Sequence, residues 1–119
     1  MLLALPAACG GEDPLPARRQ PTGAVCGSST QTYATFAAPL LAQYCTSCHS
    51  SALVGAARSS APAGLDFDTL TGVRAAASAI DRVAGSGPDA DNTDMPPGSP
   101  RPSLEARAQL ASWLACGAP

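Results

Sequence analysis

The chain has 119 residues, a formal charge of −2 and no lysine; all seven basic residues are arginines. That length suits one domain, and with Arg18-Arg19 as the only adjacent basic pair there is no basic stripe for nucleic acid. Two Phe, two Tyr and one Trp leave a domain of this size little large apolar area from which to build a core.

Met1 to Ala8 is apolar and ends in small residues before Cys9-Gly10-Gly11. The segment is too short to span a bilayer and lacks the charged start of a full secretory signal. It resembles the last part of a bacterial lipoprotein signal, in which a Cys after small residues is lipidated, although Pro6 stands where Leu is usual. On that reading residues 1–8 are a signal remnant and Cys9 carries the lipid. Residues 9–32, rich in Gly, Pro, Ser and Thr, then form a flexible tether, and 33–119 is the folded domain. The other reading is an ordinary apolar N-terminus with a free Cys9.

Phe36, Leu40 and Tyr44 recur at i, i+4 and i+8, which predicts a helix from Phe36 to Tyr44, with Thr35 as N-cap and Pro39 in or just after the first turn. It runs into Cys45-Thr46-Ser47-Cys48-His49. C-x-x-C-H is the attachment signature of c-type haem. Two thiols two residues apart can each add across one vinyl group of a single porphyrin, and the His that follows is then an axial ligand to the iron. A large flat cofactor would also supply the apolar body that the few aromatic residues do not.

Residues 50–64 read as loop. Asp68 is the expected cap of a short helix from Thr69 to about Ala79, with Val73, Ala76, Ala77 and Ile80 inward. Gly85 to Asn92 reads as loop. Asp89-x-Asp91-Asn92-x-Asp94 hints at a calcium loop, but Asp94 and Pro100 stand where that loop needs Gly and Glu, so it reads as a solvated acidic loop. The last helix has Ser103 as N-cap, Glu105 in the first turn, an apolar face of Leu110, Trp113 and Leu114, and Gly117 just past its end. Nothing reads as an alternating strand, so the expected fold class is all-α.

Five cysteines are present. Cys45 and Cys48 go to the haem motif and Cys9 to lipid, leaving Cys26 and Cys116 at the two ends of the folded region. Both modifications occur outside the cytoplasm, where disulfides persist, so the last two are expected to pair; the alternative is two free thiols. His49 is the only His, and Met1 would leave with the signal, so Met95 is the expected second axial ligand. Thioether is a soft ligand suited to haem iron, and Met95 stands in a polar Asp94-Met95-Pro96-Pro97-Gly98 loop where a packing Met would be out of place. A Met used only for packing is the competing reading. Arg58, Arg82 and Trp113 are candidate donors to the haem propionates.

Phe36-Ala37-Ala38-Pro39-Leu40-Leu41 before the C-x-x-C-H run, then Gly64-Leu65-Asp66-Phe67, Met95-Pro96-Pro97 and Leu110-Ala111-Ser112-Trp113-Leu114-x-x-Gly117-Ala118-Pro119 resemble the Planctomycete-type cytochrome c domain, over residues 36–119. The resemblance implies a small class I cytochrome c fold, three or four helices wrapped around one covalently attached haem c. It also implies first and last helices that cross at Phe36, Leu40, Leu110 and Trp113, thioether links at Cys45 and Cys48, and axial His49 and Met95. Leu65, Pro96 and Trp113 are the expected pocket residues. The absence of Lys and the extra Cys26 and Cys116 depart from the pattern; the former puts a lysine-ring docking surface in doubt.

The expected function is electron transfer, not enzymatic catalysis. An iron with both axial positions filled exchanges electrons through an exposed haem edge during brief encounters with redox protein partners. The protein is expected to be a monomer outside the cytoplasm, a periplasmic or outer-membrane lipoprotein of a bacterium, tied to the membrane at Cys9. A gas-sensing or catalytic haem domain would instead need a displaceable Met95. A zinc or dithiol redox site would need further N or S ligands or a βαβ context.

Overall fold

In the computed structural model, which describes residues 19–27 and 30–119, the first helix opens at a capping box. Thr35 N–H donates to the Thr32 hydroxyl at 3.2 Å, and Thr32 N–H donates to the Thr35 hydroxyl at 3.3 Å. Thr32 is therefore the N-cap and Thr35 its third-position partner, three residues earlier than the periodicity places the start. Tyr33–Ala37 forms a π turn, and α1 follows over Ala38–Tyr44. The widened turn lies just ahead of Pro39, which cannot donate and whose ring would crowd the carbonyl four residues back. Ala37 and Leu41 are the fully buried positions, with Phe36 and Leu40 half-buried beside them, so the inward stripe is centred one residue later than expected.

A 3₁₀ turn, Gly55–Arg58, interrupts the long loop after α1. Helix α2 spans Leu70–Ala75 and α3 spans Ala77–Ala84, separated by a break at Ala76. The cap of α2 is Thr69, whose hydroxyl accepts from Gly72 N–H at 3.1 Å. Asp68, the expected cap, instead accepts from the Ser51 amide at 3.1 Å and the Ser51 hydroxyl at 2.6 Å. Val73, Ala76 and Ile80 are buried, and Ala77 packs beside them.

Helix α4, Leu104–Ala115, is capped by the Ser103 hydroxyl, which accepts from Ala106 N–H at 3.0 Å. Gly117 N–H donates to the Leu114 carbonyl and Ala118 N–H to that of Trp113. This double return needs a left-handed residue after the last turn, and Gly117 supplies it at φ 86°. Leu110, Trp113 and Leu114 enter the core. Trp113 meets Phe36 edge to face with centroids 6.3 Å apart, and its Nε1–H donates to the Pro119 carbonyl. Among the described residues there is no sheet, only an isolated bridge between Ser86 and Asp91. The domain is a small all-α body.

Residues 19–27 fall in the stretch read from sequence as tether, yet they lie against the domain as a strap. Thr22, 1 % exposed, donates from its amide and hydroxyl to Asp81 at 2.9 and 2.6 Å, and accepts from Asp89 N–H. Gly23 turns at φ 70° where any side chain would strike the Asp89 carboxylate. The Ser112 hydroxyl donates to Val25 O. Cys26 and Cys116 are joined by a disulfide, with their Cα atoms 4.6 Å apart. The signal remnant, Cys9 and residues 10–18 lie outside the described residues.

Candidate functional site

The end of α1 turns into the C-x-x-C-H run by ordinary backbone bonds. Cys45 N–H donates to Leu41 O, and the His49 and Cys48 amides both donate to Cys45 O. The turn puts Cys45 and His49 on one wall of an apolar cleft of about 230 Å³, open to solvent. Tyr44 completes that wall. Pro62, Leu65 and Phe67, Ile80, Val83 and Ala84 of α3, the Met95-Pro96-Pro97 loop and Arg19 of the strap line the rest of the cleft.

His49 is held from three sides. Its Nδ1 lies 3.0 Å from Leu65 O; a carbonyl can only accept, so Nδ1 carries the hydrogen and Nε2 keeps the lone pair that a metal would use. The Phe67 ring stacks on the imidazole with centroids 4.6 Å apart, and Phe67 N–H donates to His49 O. Burial pushes the imidazole below its ordinary value, and the Arg58 cation adds to that, against the Leu65 carbonyl and Asp66.

The segment that carries Leu65 in turn hangs on Arg58, which is 5 % exposed. Its guanidinium donates to the carbonyls of Ser50, Leu53, Ala61, Pro62 and Leu65 and pairs with Asp66 at 2.8 Å. Leu65 O thus accepts from both His49 and Arg58. Nε, Nη1 and Nη2 are all engaged in this way, and Arg58 is not among the residues that line the cleft.

His49 titration should be visible in haem-free protein. An imidazole with a lowered folded pKa binds protons more readily in the unfolded chain, so stability holds above about pH 6.5 and falls below it. Urea midpoints should drop between pH 7 and pH 5, and a His49→Gln variant should be flat across that window, because no other His exists. A wild-type midpoint independent of pH there would contradict the burial effect.

The two cysteines of the run differ. The Cys45 thiol is pushed up to about 11 by burial, partly opposed by the Arg107 cation, so it is protonated at neutral pH and is a poor thiolate nucleophile. Cys48 is 5 % exposed and packs with Ala61.

Met95 is fixed through its backbone. Its amide donates to Val83 O of α3 at 2.9 Å, and its carbonyl accepts from Arg107 at 2.7 Å. Arg107, which carried no signal in the sequence reading, is 2 % exposed within α4. Arg19, noted in the sequence only as half of a basic pair, pairs with Asp94 at 2.8 Å.

Cys45, His49, Leu65, Met95 and Pro96 therefore share one cleft, while Trp113 is not among its walls. The Trp113 ring is spent in the crossing of the first and last helices. Arg82 donates to Arg19 O and is not among the lining residues. The acidic loop is not wholly solvated. Asn92 is buried and donates to Gln20 O and Asp81 O, Asp91 accepts from the Ser86 hydroxyl, and Asp94 faces Arg19. Among the described residues no three His, Cys, Asp or Glu side chains are grouped to hold a bare metal ion. No family model, curated protein or solved structure matches the chain.

Proposed function

We propose that the chain is an electron-transfer protein of the class I cytochrome c kind, carrying one haem c in the cleft. The reading is carried by one observation: Cys45 and His49 face the same apolar cleft as Met95, 46 positions after His49 and brought in by α3 and α4. An imidazole with a free Nε2 and a thioether form a donor set that suits haem iron, and apolar walls suit a porphyrin face. The haem supplies the electron, its iron cycling between Fe(II) and Fe(III).

His49 and Met95 are the axial ligands in this reading, and filling both positions leaves no site for a substrate. Cys45 and Cys48 would hold the group covalently, each by adding its S–H across one vinyl group. The cleft of about 230 Å³ is smaller than the roughly 300–1,000 Å³ of sites that bury a ligand. A haem held there would leave one edge exposed, where a redox protein could meet it. Arg19 is the cation among the lining residues and would be the one to meet a propionate. Lipid at Cys9, a bacterial extracytoplasmic location and a monomeric state belong to the same proposal.

Co-expression with c-type haem maturation machinery tests it. Wild-type protein should gain one covalent haem by mass, be low-spin and six-coordinate, show the weak near-infrared Met–iron band when ferric, and resist CO when reduced. Met95→Ala should keep the covalent haem, lose that band, bind CO rapidly and have a lower reduction potential. A colourless wild-type protein would refute haem binding. Rapid CO binding by the wild type would favour a sensing or catalytic haem instead.

A further inference from the structure

Arg107 is a buried cation with an unusual set of partners. One nitrogen, Nη1, donates to the carbonyls of Ala84 at 3.1 Å, Asn92 at 3.1 Å and Met95 at 2.7 Å. Its hydrogen-bond partners among the described residues are all carbonyls, without a carboxylate. A guanidinium does not deprotonate in a protein, and taking it out of water costs free energy unless its donors are satisfied. An apolar side chain would fill the same place in α4 without that cost, so the charge calls for a reason.

The three carbonyls supply one. Ala84 is the last residue of α3, where the helix dipole is negative and a cation is favoured. Asn92 and Met95 belong to the loop that closes the cleft. Arg107 therefore ties the end of one cleft wall to the closing loop, from a helix anchored independently by its Ser103 cap. Met95 is gripped on both sides of its Cα, its amide by Val83 and its carbonyl by Arg107. Only the side chain is left to move, on a backbone aimed at the cleft.

We propose that Arg107 is a positioning residue for Met95, holding the thioether as the iron's distal ligand and adding a fixed positive charge that favours the reduced state. The proposal rests on the reading of Met95 as that ligand. Such outer-shell partners orient a ligand they do not themselves replace.

Two variants, Arg107→Leu and Arg107→Lys, test it with and without haem. In haem-free protein the Met95 amide should exchange about tenfold faster or more in Arg107→Leu, as loss of a hydrogen bond to a charged group implies. The amides at the end of α4 should keep their protection. In ferric holoprotein, imidazole should displace Met95 with about 10–100-fold higher affinity, and the reduction potential should fall. Arg107→Lys keeps the charge but not the reach of the fork. It should loosen Met95 while holding the potential nearer the wild type, and it decides by the same readouts if the Leu variant does not fold. Unchanged Met95 exchange, or an equal loss of protection at every amide, overturns the positioning role. If the wild type already lacks the Met–iron band, the ligand reading has failed. If the wild type has the band and the variants keep both it and the imidazole affinity, the role of Arg107 alone has failed.

Discussion

Arg58→Met is expected to destabilise the haem-free domain by about 3–5 kcal/mol. The figure comes from what the guanidinium leaves behind. Five backbone carbonyls between Ser50 and Leu65 lose the Arg58 donor. Those of Ser50, Pro62 and Leu65 keep another, from the Leu53 amide, the Leu65 amide and His49 Nδ1, so the carbonyls of Leu53 and Ala61 are left unmade, each at about 1–3 kcal/mol. Some of that returns as water enters, because this loop lies near the surface. Asp66 loses its ion-pair partner, but its side chain is 26 % exposed and can rehydrate, so it adds less than a fully buried carboxylate would. Against a typical total of about 5–15 kcal/mol, the variant should stand near its unfolding threshold. Urea denaturation would read the effect as a lowered midpoint with the slope unchanged. A loss under about 1 kcal/mol would mean that the loop holds its shape without Arg58. His49 should suffer with it, because the carbonyl that orients the imidazole is one that Arg58 holds.

The double variant Cys26→Ser/Cys116→Ser is expected to lose about 4–5 kcal/mol, through the unfolded state more than the folded one. The bond joins residues 90 positions apart, and loop-closure entropy for a ring of that size gives roughly this figure. The strap adds native contacts that keep Cys26 beside α4 even without the bond, notably Thr22 on Asp81 and Ser112 on Val25. The folded body should therefore survive, with an unchanged circular dichroism spectrum at low temperature. The urea slope should rise, because an uncrosslinked chain exposes more surface on unfolding. Paired serines are the right reagents, because they remove this one bond and leave the other cysteines unchanged. A midpoint shift worth less than about 1 kcal/mol would show that the unfolded chain is already compact without the crosslink.

The sequence was most legible where structure is set by neighbours in the chain. Ser103, Leu110, Trp113, Leu114 and Gly117 take the expected places because a cap, an apolar face and a left-handed exit are all local devices. The first helix was harder. Thr32 and Thr35 are equally good caps, and the choice between them follows from the widened turn that Pro39 needs. Asp68 and Thr69 pose the same ambiguity, and Ser51, 17 positions away, resolves it by claiming Asp68.

The two buried arginines were not readable at all. Their partners are mostly backbone carbonyls, which every residue has, so no pattern of residue types marks Arg58 or Arg107 as interior. The strap failed for a related reason. A run of Pro, Gly and Thr has the same composition loose or docked, and the docking sites, Asp81, Asp89 and Asn92, lie far along the chain. The cleft stands between these cases: Cys45 and His49 follow from a motif, while Met95 reaches them through folding over 46 positions.

The strap also reaches the cleft. With Thr22 locked to α3 and Cys26 bonded to Cys116 just past α4, Arg19 is held where it lines the cleft and pairs with Asp94, the neighbour of Met95. The cleft is thus shared by segments far apart in the chain, and any shift in how the strap sits on the body is felt where the thioether stands.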